Sequence, residues 1–214
     1  MPMPSLLRYL PLVLGFVATF AAAGGVHQPA SSNSLQSLLA PLASLSADFR
    51  QVISDGEGYE IQALTGTMDV ARPGKVYWKS APPYEQLVVS DATTLWLYDA
   101  DLEQVTVRPF DHDIARTPAV LFIGDVQELD DKFRVSSLDT DGGTTYTLVP
   151  VDEGALYQRL TLTFKGATPT AMTLWDTLGQ QTRIDFSNVK LNQPVPDSRF
   201  TFTIPDGVDV LYDE

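Results

Sequence analysis

At 214 residues with 44% apolar content, the chain has the length of one domain and enough apolar mass to fill a core. The absence of cysteine excludes disulfides, thiolate chemistry and a lipid-bearing cysteine of the chain's own. A formal net charge of −13 excludes binding to a phosphate backbone and disfavours anionic lipid surfaces, although solubility alone would also explain it.

Arg8, the apolar run Tyr9 to Phe20 and the small residues Ala21-Ala22-Ala23 predict a secretory signal peptide over 1–23, cleaved near Ala23. The run is shorter than the roughly 18–20 apolar residues of a membrane span. Its removal takes away only Arg8, so −13 becomes −14. Residues 24–33 read as a flexible polar lead-in and 34–214 as a single freely diffusing domain.

Asn33 with Gln36 has the pattern of a helix N-cap and its reciprocal partner, and Leu35, Leu38, Leu39 and Leu42 share one helical face. That face is core or, alternatively, a movable flap. Pro41 predicts either a kink or a second short turn. From Ser46 the period becomes two, with turns at Asp55–Gly58 and Arg72-Pro73-Gly74 and a proline break at Ala81-Pro82-Pro83. Short runs between Gly66 and Phe110 predict an antiparallel meander with no room for crossover helices. Trp78, Trp96 and Tyr98 on those strands suggest an apolar container.

Thr117, Pro118 and the stop at Gly124 predict a two-turn apolar helix holding Leu121 and Phe122. Such a short helix must lie on something apolar. Further runs at Phe133–Leu138, Thr144–Pro150, Gln158–Lys165, Ala171–Trp175, Gln181–Leu191 and Phe200–Pro205 bring the expected total to ten or eleven strands. The fold class is mainly β (α+β), one continuous domain with two or three short helices on an open side.

Catalytic chemistry has little support. His112 between Asp111 and Asp113 reads as a solvated turn before it reads as a metal site. No G-x-S-x-G, phosphate loop or dinucleotide fingerprint is present, so no enzyme, cofactor or metal is expected. Arg72, at a strand end, is either a solvated rim residue or a donor to the orphan carbonyls of a short lid helix.

The ordered set Arg72-Pro-Gly-x-x-x-Trp78, Val89-Ser-Asp, Leu95-Trp-x-Tyr-Asp99, Glu103-Gln-Val, Thr117-Pro118, Asp176-x-x-Gly-Gln180 and Phe200-Thr-Phe-x-x-Pro-x-Gly-Val208 resembles the LolA family over about residues 34–210. The resemblance implies an incomplete antiparallel β-barrel of about eleven strands, with a hydrophobic cavity under a short-helix lid. It implies a periplasmic monomer that takes acylated lipoproteins from an ATP-driven, LolCDE-like inner-membrane release complex to a LolB-like outer-membrane receptor. Arg72 would be the lid latch, Leu35, Leu38, Leu39, Leu121 and Phe122 lid or cavity residues, and Val76, Trp78, Val88, Leu95 and Leu97 cavity contacts. Ala92 stands where the family usually has glycine, and Pro41 interrupts the first helix. A periplasmic lipid- or lipoprotein-sensing regulatory domain is the alternative reading.

Overall fold

Among the described residues, twelve strands form one curled sheet, and most of them pair with their sequence neighbours as hairpins. In this computed structural model, residues 32–110, 121–122 and 126–213 are described. The first helix is α1 (Ser32–Leu39), followed by β1 (Ser44–Ser54), β2 (Glu60–Ala71), β3 (Lys75–Ser80), β4 (Gln86–Asp91), β5 (Thr94–Asp99) and β6 (Gln104–Pro109). A 3-10 turn (Val126–Glu128) and α2 (Leu129–Lys132) lead into β7 (Phe133–Thr140), β8 (Gly143–Pro150), β9 (Tyr157–Lys165), β10 (Thr168–Asp176) and β11 (Gln181–Leu191). A 3-10 turn at Asp197–Phe200 precedes β12 (Asp209–Tyr212), and the strands lie in the order β12-β6-β5-β4-β3-β2-β1-β11-β10-β9-β8-β7, with β12–β6 and β1–β11 joining strands that are not sequence neighbours.

Alternation along each strand sorts its side chains between two faces. Leu45, Ala47 and Phe49 of β1, and Leu160, Leu162 and Phe164 of β9, are buried and alternate with the less buried Ser46, Asp48, Thr161 and Thr163. These residues share one apolar cluster with Leu35, Leu39 and Leu42 from the α1 region and with Leu121, Phe122, Val126 and Leu129. Eight helical residues are too few for an independently stable helix. Burial of α1's leucines, at roughly 1.5–3 kcal/mol each, is what holds it on the sheet.

Several expectations need correction at the ends of elements. Asn33 is inside α1 rather than at its cap, and its carbonyl accepts from the Ser37 hydroxyl at 2.7 Å. At Pro41 the second of the two alternatives holds: α1 stops at Leu39 and a short turn follows, closed by the Leu42 N–H donating to the Leu39 carbonyl at 3.1 Å. The expected strand Phe200–Pro205 makes no ladder. Phe200 closes a 3-10 turn, and Phe202 and Ile204 alternate toward the sheet with Thr201 and Thr203 outward, a period of two without strand pairing.

That strap crosses the outer face of the sheet. The Arg199 Nε donates to Asp69 Oδ2 at 2.7 Å while its guanidinium lies 3.6 Å over the Tyr77 ring. The Lys75 ammonium donates to Asp197 at 2.7 Å, a hydrogen bond that holds the exposed Asp197 carboxyl below the usual carboxylate range. Phe200 is buried, and Phe202 sits against Trp96 and Tyr98 with ring centroids 6.4 and 5.9 Å away. The strap arrives at the far end of the sheet, so β12 runs beside β6 in parallel, the one exception to the antiparallel expectation among the described strands. It also corrects the container reading for Trp96 and Tyr98, which face away from the concave side.

The β4–β5 turn is built by side chains. Buried Ser90 donates to the Gly74 carbonyl and accepts from the Ala92 N–H, and the Asp91 carboxylate accepts from Thr93 and Thr94. Ala92 has φ 81°, a left-handed value that a Cβ resists. Ala92→Gly is expected to raise stability by about 1 kcal/mol, or about 2–4 °C in melting temperature for a domain this size. A thermal melt showing no gain would contradict the strain.

Candidate functional site

The concave face holds an apolar cavity of about 330 Å³. One wall carries Met68 of β2, Val76 and Trp78 of β3, Val88 of β4, and Leu95 and Leu97 of β5. The facing wall carries Met172 and Leu174 of β10 with Thr182, Ile184 and Phe186 of β11, while Arg108 and Phe110 border one end. Phe122 joins the lining and meets Phe186 edge-on, ring centroids 5.9 Å apart. Among the described residues of this lining, only Arg108 and Thr182 bring a hydroxyl or a charge. A larger groove of about 610 Å³ lies at β1, β2 and β11, but Asp69, Arg199, Asp48, Asn188 and Lys190 line it. Lined by the Asp69–Arg199 and Asn188–Asp48 contacts and by the charged Lys190, it does not suit an apolar ligand.

The fold places the expected residues in two groups. Val76, Trp78, Val88, Leu95, Leu97 and Phe122 line the cavity. Leu35, Leu39 and Leu121 are fully buried in the adjoining core and Leu38 packs on it half-buried, none of them in the cavity wall. Most of the Thr117–Gly124 helix, together with His112 and its neighbours, lies outside the described residues, although Leu121 and Phe122 adopt 3-10 conformation. Sequence reasoning missed Met68, Arg108, Phe110, Met172, Leu174, Thr182, Ile184 and Phe186. The alternation Thr182-Arg183-Ile184-Asp185-Phe186 already carried a signal, since it puts two charges on one face and apolar bulk on the other.

Arg72 joins the cavity wall to the helix. Its Nη2 donates to the Leu39 carbonyl at 3.1 Å, in partly buried surroundings. Leu39 ends α1, so its carbonyl is one of those with no partner inside the helix, at the negative end of the helix dipole. The Leu42 N–H also donates to it at 3.1 Å, so the guanidinium is a second donor to this carbonyl and complements the dipole. The Arg72 backbone N–H also donates to the Ala43 carbonyl at 2.9 Å, fixing the β2 end against the chain that leaves α1. Ala43 is held from the other side by Asn192, whose Oδ1 accepts its N–H at 2.7 Å from a left-handed turn, φ 56°.

A sequence profile of the family described as "Outer membrane lipoprotein carrier protein LolA" matches residues 40–203. This chain belongs to the LolA family. An "Outer-membrane lipoprotein carrier protein" of Alcanivorax borkumensis is 42% identical over 182 residues, covering 85% of this chain and 87% of that one. A protein of the same name from Pseudomonas fluorescens Pf-5 is 38% identical over 206 residues, 96% of this chain and 98% of its own. Among solved structures, an uncharacterized conserved protein from Thermus thermophilus superposes with a TM-score of 0.52 at 13% identity, over 84% of this chain and 99% of that one. That likeness concerns the fold alone. The LolA profile match takes in Arg72 and both cavity walls but begins at residue 40, past Leu35, Leu38 and Leu39.

Proposed function

We propose that this LolA-family protein is a periplasmic carrier that shelters the acyl chains of lipoproteins in the β2–β6/β10–β11 cavity. It would carry them from an inner-membrane release complex to an outer-membrane receptor. The observation that carries the reading is an apolar cavity next to a short helix held by one guanidinium. Export by the signal peptide read at 1–23 would deliver the protein to the periplasm. Among the described residues, no helix is long and apolar enough to cross a membrane.

Transfer of acyl chains through water costs about 0.8 kcal/mol per methylene exposed, so a carrier must replace most of the burial that a bilayer supplies. It must also release the chains to the next acceptor. A volume of about 330 Å³ is at the small end for ligand pockets, roughly 300–1,000 Å³, so a cargo with several chains needs α1 and the Phe122 segment to move aside. Their displacement exposes Leu35 and Leu39 and breaks the Arg72–Leu39 bond, which subtracts from the gross affinity. Net binding stays modest, and the donor complex supplies the energy for loading.

Docking belongs at one end of the barrel. Strands β1, β3, β5, β8 and β10 run toward the same rim, and the turns that follow them expose Tyr59, Tyr84, Leu102, Leu156 and Leu178. Clustered exposed apolar side chains of this kind mark interaction surfaces.

A photo-crosslinking side chain at Leu97 tests the site directly. It is expected to capture lipoprotein in growing cells, whereas the same group at exposed Leu211 captures little. Equal capture at both positions would place the cargo elsewhere.

A further inference from the structure

The cavity contains a cation that neither the apolar wall nor the lid accounts for. Arg108 is on β6 opposite Leu95, on the concave face with Thr106, next to the β4–β5 turn. Among the described residues its side chain has no ion pair or hydrogen bond, and it remains exposed beside the buried Leu95 and Phe110. An arginine at the border of an apolar cavity lays its methylenes along the wall and keeps its guanidinium in water. That places five N–H donors where the head of an amphiphile would be when its chain is inside. The planar fork matches carboxylate and phosphate oxygens two at a time.

We propose that the cavity accepts a single-chain amphiphile with an anionic head, the chain against Leu97 and Ile184 and the carboxylate or phosphate on Arg108. This rests on reading the cavity as an acyl site. Two further observations favour it. The cavity volume of about 330 Å³ suits one slender chain with the helices in place, so such a ligand needs no opening of the Arg72 contact. The chain as a whole carries −13, which repels anions at long range, so selective uptake of an anionic amphiphile requires a local cation in the site. Anionic single-chain amphiphiles would then compete with the larger cargo for the closed carrier.

The test uses the mature protein with cis-parinaric acid, a fluorescent fatty acid, and with its uncharged methyl ester. The expected result is that the acid binds at least about tenfold more tightly than the ester at low salt, the effect of one charge-assisted contact. In Arg108→Met the ratio of the two affinities should fall to near one, and Arg108→Lys should restore part of it. Competition by a lysophosphatidic acid and by a free fatty acid separates phosphate from carboxylate heads. An equal affinity of acid and ester for the unmodified protein, or a preference that survives Arg108→Met, overturns the role of Arg108 while leaving the acyl cavity standing. Failure of both acid and ester to bind overturns the acyl cavity itself, and this inference with it.

Discussion

Replacement of Arg72 by leucine should give a carrier that still loads and then fails to hand its cargo on. The Arg72 Nη2–Leu39 carbonyl bond exists only while α1 is seated, so it stabilises the closed form alone. A hydrogen bond involving a charged group contributes roughly 1.5–3 kcal/mol. Loss of that amount from the closed state raises the apparent affinity for anything that binds the open one, by about ten- to hundredfold. Loading becomes easier by the factor that makes release harder. Leucine retains much of the apolar bulk of the arginine stem, which limits damage to the packing beneath α1. The measurement is the fraction of lipoprotein transferred from the loaded variant to receptor-bearing outer membranes. Transfer at the unmodified rate by a stably folded variant would show that the contact is structural only.

Gly66→Ala should lower stability by about 3 kcal/mol or more, with the melting temperature falling by roughly 6–12 °C. Gly66 lies in β2, paired with Phe49 of β1 on one side and Ser80 of β3 on the other. A Cβ at this position would meet the Phe49 ring at 2.5 Å and press into the Lys79 backbone carbonyl. Phe49 has no free direction, because it is buried and stacks on Trp78 with ring centroids 3.9 Å apart. A side chain at residue 66 therefore disturbs a core aromatic and, through it, the cavity wall at Trp78. Thermal unfolding followed by tryptophan fluorescence measures both effects. An unchanged melt would mean that β2 and β3 part easily, against the paired register seen here.

These two residues differ in how plainly the sequence announces them. Arg72 could be singled out because it precedes Pro73-Gly74 in an ordered set of LolA motifs, and because a short lid helix has carbonyls in need of a donor. Gly66 opened the same stretch without any local sign that an aromatic ring from another strand lies over it. A close approach between strands is a tertiary fact, and a glycine in a strand is compatible with several causes.

The barrel wall shows a similar divide. The run Leu95-Trp96-Leu97-Tyr98 is apolar on both faces, so alternation cannot tell which residues face the cavity. The reason lies about a hundred residues later, in the strap that brings Phe202 onto Trp96 and Tyr98. β11 has no such cover among the described residues, and Arg183 and Asp185 on its outer face left Ile184 and Phe186 legible as inward residues. Strand β12 was hidden because it has only four residues and depends on where the strap delivers it. The meander, the curled single sheet and the short helix on the concave side follow from period and turn chemistry.

The central claim is that the cavity carries acyl chains between membranes. Its most direct test incubates the mature protein with energised spheroplasts that hold its own donor complex, and asks whether lipoprotein appears in the supernatant bound to it. The account predicts release by the unmodified protein and loss of release when Leu97 or Ile184 is replaced by aspartate, which would place an unpaired charge in the apolar wall. Absence of release by a folded, unmodified protein would contradict the carrier reading, and release unaffected by either aspartate would contradict the cavity as its site.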